Sequence, residues 1–346
     1  MIKISKNLIF SYNSRPKIIA EVSGNHGGNK KRFLNLINQA FKNGADLVKI
    51  QSYEPKDITL NKKSKNFLIK SGTWKNTYLW DLYKKACTPF SWHKEAFQVA
   101  RKYNKVIFSS PFSIRSVDLL ESLNCQIYKI ASFEITDLNL IRYIASKKKP
   151  IIISTGMASE KEIKNAIIEI KKFHNKIIIL HCVSAYPTRL KDTNLSRIEI
   201  LKKMYPNLMI GLSDHTKDIY SSISCIPLGV VAIEKHFKIN EKFKTTDSSF
   251  SITPEKMSKL CSVSKDIFYS MNNYNPNNVE KSSKKLRRSI FAKTDIEKNV
   301  KITKEQITTL RPLIGISASN FFQIIGKKTK RKILAGTPIY QKDISK

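Results

Sequence analysis

The sequence predicts an α/β protein: a (β/α)8 TIM barrel with a small, mostly β domain behind it. Three observations lead there. Eight short, β-branched apolar runs recur along the first 234 residues. A helix-like stretch follows nearly every one of them. A polar, Asn-rich stretch at 272–283 then separates this region from about 60 residues punctuated by Gly315, Gly326 and Gly336. Near-continuous apolar runs suit strands buried on both faces, and eight of them alternating with helices is a barrel count. An open doubly wound sheet is the structural alternative. Its nucleotide-binding members carry a Gly-rich first turn, which this chain lacks.

Taken in order, the strand runs are 18–22, 47–51, 106–110, 127–132, 151–154, 177–181, 209–213 and 230–234. The first helix, 31–43, sets Phe33, Leu34, Ile37, Ala40 and Phe41 on one face, and Gly44 stops it. Helices are also expected at 91–103, 114–123, 138–146, 159–172, 195–204, 219–228 and 254–271. The one at 159–172 opens with Ser159 and Glu162, the spacing of a capping box. A long insertion, 52–90, with Trp74, Tyr78, Trp80 and Tyr83, falls where a barrel has a loop over its mouth. The organisation read from these signals is a barrel over 1–271, a linker over 272–283 and a small domain over 284–346.

Composition narrows the function classes. With 346 residues, 41 % hydrophobic and 26 % charged, the chain builds a sizeable core. No uncharged apolar stretch reaches the roughly 18 residues of a membrane span, and residues 1–12 lack a signal-peptide core, so the expected location is the cytoplasm, away from membranes. Cys87, Cys125, Cys182, Cys225 and Cys261 are odd in number and scattered, which argues for reduced thiols. The net charge is +35. Residues 281–346 hold 17 Lys/Arg and 4 Asp/Glu, but the excess runs through the whole chain. Lys, Ile and Asn enrichment throughout favours compositional drift plus anionic small substrates over a nucleic-acid groove.

The strand ends carry the chemistry. They read Glu21; Lys49 and Gln51; Ser110; Lys129 and Ser132; Ser154 and Thr155; His181, Ser184 and Tyr186; Ser213 and His215; Glu234 and His236. A barrel gathers all eight around one pocket. Lys49 and Lys129 sit in apolar runs, where a charge needs a reason to be buried. With Ser132, Ser154 and Ser213 as donors they suit a phosphate or carboxylate; a Schiff-base lysine is the competing reading. His215 and His236 follow neighbouring strands, a placement that permits joint ligation of one divalent metal. Glu21, Glu134, Asp214, Glu234 and Asp247 are the available carboxylates.

These stretches resemble the sialic acid synthase family, the phosphoenolpyruvate-condensing enzymes that make nonulosonic acids. The matching text is Ile19-Ala20-Glu21-Val22-Ser23-Gly24-Asn25-His26, Tyr128-Lys129-Ile130-Ala131-Ser132, Ser154-Thr155-Gly156-Met157, Gly211-Leu212-Ser213-Asp214-His215 and Glu234-Lys235-His236-Phe237. The tail resembles the family's antifreeze-like SAF domain. Ala131-Ser132-Phe133-Glu134, Gly72-Thr73-Trp74 and Thr88-Pro89-Phe90-Ser91-Trp92 resemble the pseudaminic acid branch. The resemblance implies condensation of phosphoenolpyruvate with 2,4-diacetamido-2,4,6-trideoxy-L-altrose, with an N-acetylneuraminate or legionaminate precursor as the alternative sugar. It implies Mn2+ or Mg2+ on His215 and His236, and Lys49, Lys129, Ser132, Ser154 and Ser213 on the phosphate and carboxylate. Glu21 is implied for the water proton, Glu134 and Tyr186 for the sugar, and Asp247 for a metal-bound water or hydroxyl; Gln51, Ser110 and Ser184 complete the substrate-binding set. It further implies a homodimer in which the small domain of one subunit offers Arg311 to its partner's barrel. Leu313 after Arg311-Pro312, and Lys244-Thr245-Thr246 ahead of Asp247, depart from the family's usual glycines. A non-catalytic polyanion-binding protein is the rival from another class.

Overall fold

The computed structural model describes residues 1–272 and 280–345. Contacts divide the chain into two units, Met1–Asn272 and Asn273–Lys346.

The first unit opens with a feature the sequence did not announce, an antiparallel hairpin of β1 (Ile2–Ser5) and β2 (Leu8–Phe10). Its residues are few and mixed with lysines, so they carry no periodic signal. Phe10 is fully buried, and beyond it the Tyr12 hydroxyl donates to the Leu208 carbonyl and receives the Ile210 N–H. The hairpin is thereby fastened at the end of the barrel away from the mouth. Eight parallel strands follow: β3 (Lys17–Glu21), β4 (Leu47–Ser52), β5 (Val106–Pro111), β6 (Tyr128–Ile130), β7 (Ile151–Ser154), β8 (Ile177–Cys182), β9 (Met209–Asp214) and β10 (Ala232–His236). They close in the order β10-β3-β4-β5-β6-β7-β8-β9. Every apolar run expected to be a strand overlaps one, with β10 displaced two residues toward the mouth. β6 is shorter than its run because Ala131 and Ser132 leave the ladder to shape the mouth.

The helices are α1 (Lys30–Lys42), α2 (Leu79–Ala86), α3 (Phe90–Lys102), α4 (Ile114–Ser122), α5 (Leu138–Ser146), α6 (Glu160–Lys171), α7 (Arg197–Met204), α8 (Tyr220–Ser224) and α9 (Pro254–Asn272). Their starts are chemically fixed: Asn29 accepts from the Arg32 N–H, Asp137 from the Leu140 N–H, and Ser159 with Glu162 forms the capping box read from sequence. The helix expected at 219–228 ends early. Pro227 cannot continue the ladder, so α8 gives way to a 3-10 turn at Ile226–Leu228.

The second unit holds α10 (Lys281–Lys284), β11 (Ser289–Ala292), β12 (Ile307–Leu310) and α11 (Phe321–Ile324) around a small isoleucine-rich core that includes Ile290, Ile296, Ile302 and Ile339. β11 pairs with β12, and isolated bridges such as Phe291↔Pro338 extend the β character. The linker expected at 272–283 begins at the last residue of α9 and overlaps α10; its residues 273–279 lie outside the described residues. Among the described residues, no helix is long and apolar enough to cross a membrane.

Candidate active site

Register decides which strand residues meet. Glu21 lies opposite Lys49 and His236, Glu234 opposite Ser213, and Ser213 opposite Cys182. Side chains alternate faces along a strand, so Glu21, Lys49, Gln51, Lys129, Ser154, Cys182, Ser213, Glu234 and His236 share the inner face. The alternate residues turn outward. His181 Nε2 donates to the Thr193 carbonyl, 2.8 Å away, and Lys235 pairs with Asp214 at 3.0 Å in the layer beneath the helices. Strand ends that read alike in sequence therefore divide by parity: His181 and Asp214 belong to the outer layer.

At the C-terminal mouth a cavity of about 350 Å³ opens. It gathers Lys49, Gln51, Lys129, Ser132, Glu134, Ser154, Tyr186, Ser213, His215, His236 and Asp247 from the residues singled out by sequence. Glu21, Ser110 and Ser184 lie beside it without forming its wall. Glu21 accepts from Gln51 Nε2 at 2.9 Å, and Ser184 shares a 2.9 Å hydroxyl contact with Ser132. Arg311 is exposed in the C-terminal unit. The sequence undervalued Glu234, Cys182, Trp74 and Phe250, all of which line the cavity. Parity with His236 was the available signal for Glu234; Trp74 and Phe250 sit on loops with no periodicity to interpret.

The two lysines are held differently. Lys49 Nζ lies 2.9 Å from Glu234 Oε1 and 3.4 Å from Glu21 Oε2. These carboxylates overcome burial and raise its pKa. Ser213 Oγ also donates to Glu234, at 3.1 Å. Glu234 is held down to about 2, because Lys129 and Lys49 outweigh the desolvation that opposes ionisation. Lys129 has no carboxylate in ion-pair distance among the described residues; its ammonium contact is the Ile130 carbonyl at 3.4 Å. Burial lowers its pKa to about 8. The hydroxyl of Ser154 is buried without a partner. A buried ammonium and hydroxyl short of partners are donors waiting for an anion. Burial also lifts Glu21 and Glu134 to about 7.

The two imidazoles stand side by side, with ring centroids 5.3 Å apart. His215 Nδ1 is 2.9 Å from the Val183 carbonyl oxygen. A carbonyl only accepts, so Nδ1 carries a hydrogen and Nε2 is the nitrogen left to face a cation; against burial, Cys182 and the Val183 carbonyl raise the pKa of this ring. His236 Nδ1 meets Ser23 Oγ at 3.1 Å, and burial keeps this ring neutral. Ser23 adopts a left-handed φ of 43°, in a turn where Gly24 N–H donates to Asp247 Oδ2 at 3.0 Å. Among the described residues, no group of three or more His, Cys, Asp and Glu side chains forms a ready metal cage. The pair nonetheless fits a divalent cation: two imidazoles oriented through their Nδ1 contacts, each with Nε2 outside that hydrogen bond, beside the buried Asp247 carboxyl.

Around this pair is an aromatic wall. Tyr186 lies 4.4 Å from His215 and 5.4 Å from Trp74, and Phe250 lies 4.8 Å from His236, centroid to centroid. Trp74 Nε1 donates to the Thr246 carbonyl at 2.9 Å, and the Thr73 hydroxyl donates to the Tyr186 carbonyl. The threonines that replace the expected glycine bind the loop down: Thr245 Oγ1 donates to Asn25 Oδ1 at 2.6 Å. Gly156 is needed where it stands. At φ +48°, a Cβ there would lie 2.4 Å from Ser132 Cβ and 2.6 Å from Ser184 Oγ.

Comparison with known proteins gives the family of the chain. A model of the NeuB family matches residues 36–275, and a SAF-domain model matches 287–345. The pseudaminic acid synthase of Helicobacter pylori is 39% identical over 335 residues, covering 96% of this chain and 98% of that protein. The N,N'-diacetyllegionaminic acid synthase of Campylobacter jejuni is 35% identical over 321 residues, covering 90% and 94%. The crystal structure of N-acetylneuraminic acid synthetase from Leptospira borgpetersenii, in complex with citrate, superposes with a TM-score of 0.69 at 29% identity, covering 78% of this chain and 90% of that one.

Proposed function

The chain belongs to the NeuB family, and from that premise we propose that it condenses phosphoenolpyruvate with 2,4-diacetamido-2,4,6-trideoxy-L-altrose and water, giving pseudaminic acid and phosphate. The observation that carries this reading is the near-full-length match to a pseudaminic acid synthase. The cavity, with two lysines, three serines of which Ser154 is unpartnered, and an imidazole pair in one place, supports it.

The chemistry needs a dry, cationic floor. C3 of phosphoenolpyruvate bonds to the aldehyde carbon of the open-chain sugar, and the carbonyl electron pair moves to its oxygen. Water adds at C2, the C2–O bond to phosphorus breaks, and C2 becomes the ketone. Of the water's two protons, one ends on the new sugar hydroxyl and one on phosphate. Lys129, Lys49, Ser132, Ser154 and Ser213 suit the substrate's phosphate and carboxylate, because preorganised donors need no reorganisation during the reaction. Glu134, a cavity carboxyl raised to about 7, suits proton transfer at neutral pH. Glu21, behind Gln51 and Lys49, sets the charge of that floor. Tyr186 suits the sugar, with Gln51 and Asp247 at its polar edge. His215 and His236 are the residues to hold Mn2+ or Mg2+, which supplies Lewis-acid polarisation of the aldehyde when bound.

We also propose a homodimer in which Arg311 of one copy serves the barrel of the other; this rests on the family resemblance. Mixing a His236→Ala chain with an Arg311→Ala chain under exchange then restores activity that neither has alone. Use of phosphoenolpyruvate assigns the reaction to the cytoplasm, which fractionation checks. The legionaminic sugar is the second reading, favoured by the comparable identity to a synthase of that type. The deciding experiment is phosphate release from phosphoenolpyruvate with Mn2+ or Mg2+ across a panel of acetamido-sugars. Release is expected with the trideoxy-altrose. Absence of release with every acetamido-hexose overturns the reading.

A further inference from the structure

The cavity is two-sided. Strand ends supply its charged floor, while the insertion at 52–90 supplies a different wall: Ile58, Ile69, Leu79 and Leu82, continued by Tyr53 and Phe112. The insertion is built to hold that wall in place. Leu68 bridges Tyr78, α2 presents Leu79 and Leu82, and the Trp74 indole is tied to the Thr246 carbonyl. Ile58, Ile69 and Leu79 remain only half-buried, so their apolar surface faces the cavity and awaits a cover. Phosphoenolpyruvate offers none, being small and anionic at both ends. An ordinary acetamido-hexose offers hydroxyls at C4 and C6, which would lose water against this wall and gain no partner. A 4-acetamido-6-deoxy sugar offers two methyl groups.

We propose that Ile58, Ile69, Leu79 and Leu82 form the specificity wall for the C4–C6 end of the sugar, selecting methyl groups over hydroxyls. The inference rests on the proposed synthase reaction and adds to it the element that chooses the sugar. An apolar wall discriminates one added hydroxyl by roughly 10²-fold, and two differing positions act in the same direction.

The test compares kcat/KM for the trideoxy-altrose with kcat/KM for N-acetylmannosamine in the full chain. The variants are Ile69→Asn and Ile58→Asn, with Ile69→Leu as the conservative control. Expected in each Asn variant is a fall of about tenfold or more in that ratio, arising in the KM for the trideoxy sugar, with the KM for phosphoenolpyruvate within about twofold of wild type. Ile69→Leu is expected to keep the wild-type ratio. The milder Ile69→Ala, expected to lower the ratio severalfold, serves if an Asn variant does not fold. A ratio unchanged in every folded variant overturns the wall while the synthase reading stands. A wild type that turns over neither sugar overturns both.

Discussion

Lys129→Met and Lys49→Met each delete one buried cation from the same cavity floor, yet their surroundings predict opposite effects on the fold. Lys129 is charged at a cost. Its pKa falls from 10.5 to about 8 through burial, and at 1.36 kcal/mol per unit this is about 3 kcal/mol against the folded state at neutral pH. The sign follows from proton counting: between pH 8 and 10.5 the unfolded chain binds the proton that the folded chain has released, so stability from this group rises with pH across that window. Met removes the penalty. The gain is limited because Lys129 also attracts Glu234, which Lys49 continues to hold at 2.9 Å. Lys49 is the opposite case. Its removal leaves Glu234 and Glu21 buried without their nearest cation, a change worth about 3–5 kcal/mol. Thermal unfolding is expected to show Lys129→Met melting no lower than wild type, and Lys49→Met about 10 °C lower. Calorimetry of phosphoenolpyruvate binding is expected to show both weakened by about 10²-fold, the loss of one charge-assisted contact. A stable Lys49→Met beside a destabilised Lys129→Met would refute the reasoning that Lys49 stabilises the fold while Lys129 is held at its expense.

His215→Ala or His236→Ala is expected to abolish Mn2+ binding by calorimetry and nearly all turnover, while the other cavity residues keep the fold; unchanged metal content refutes the imidazole pair as the cation's seat. The Glu134 carboxyl, raised from 4.5 to about 7 by burial, holds in the folded state a proton that the unfolded chain has released, so its contribution to stability falls as pH rises from 4.5 to 7. Glu134→Gln removes that slope and the kcat/KM limb near pH 7, as pH-dependent melting and kinetics would reveal. Lys62, Lys63, Lys65, Lys70 and Lys75 are exposed on the insertion that roofs the mouth. The kcat/KM for phosphoenolpyruvate is therefore expected to drop severalfold between about 0.01 and 0.15 M salt, with that for the neutral sugar nearly constant.

Much of this was legible before any coordinates. Buried parallel strands must be apolar on both faces, so lysines at 49 and 129 and the imidazoles after 213 and 234 stood out against their runs. The capping box at Ser159 is local chemistry and was equally plain. What escaped depends on partners far apart in sequence. Glu234 gains its importance from Lys49, 185 residues away. Whether Gly156 is indispensable depends on Ser132 and Ser184, which no local pattern brings near it. The roof at 52–90 is aperiodic, so its tryptophan and tyrosines announced substance without position.

The ladder that joins β10 to β3 waits for the last strand of the barrel, since it pairs residues 232–236 with 17–21. That same seam sets His236 beside Glu21, and Glu21 beside Lys49. Competence therefore arrives only with completion. A nascent chain released before its final strand holds an incomplete set of these groups, and assembly of the barrel acts as a built-in check that no unfinished copy handles substrate.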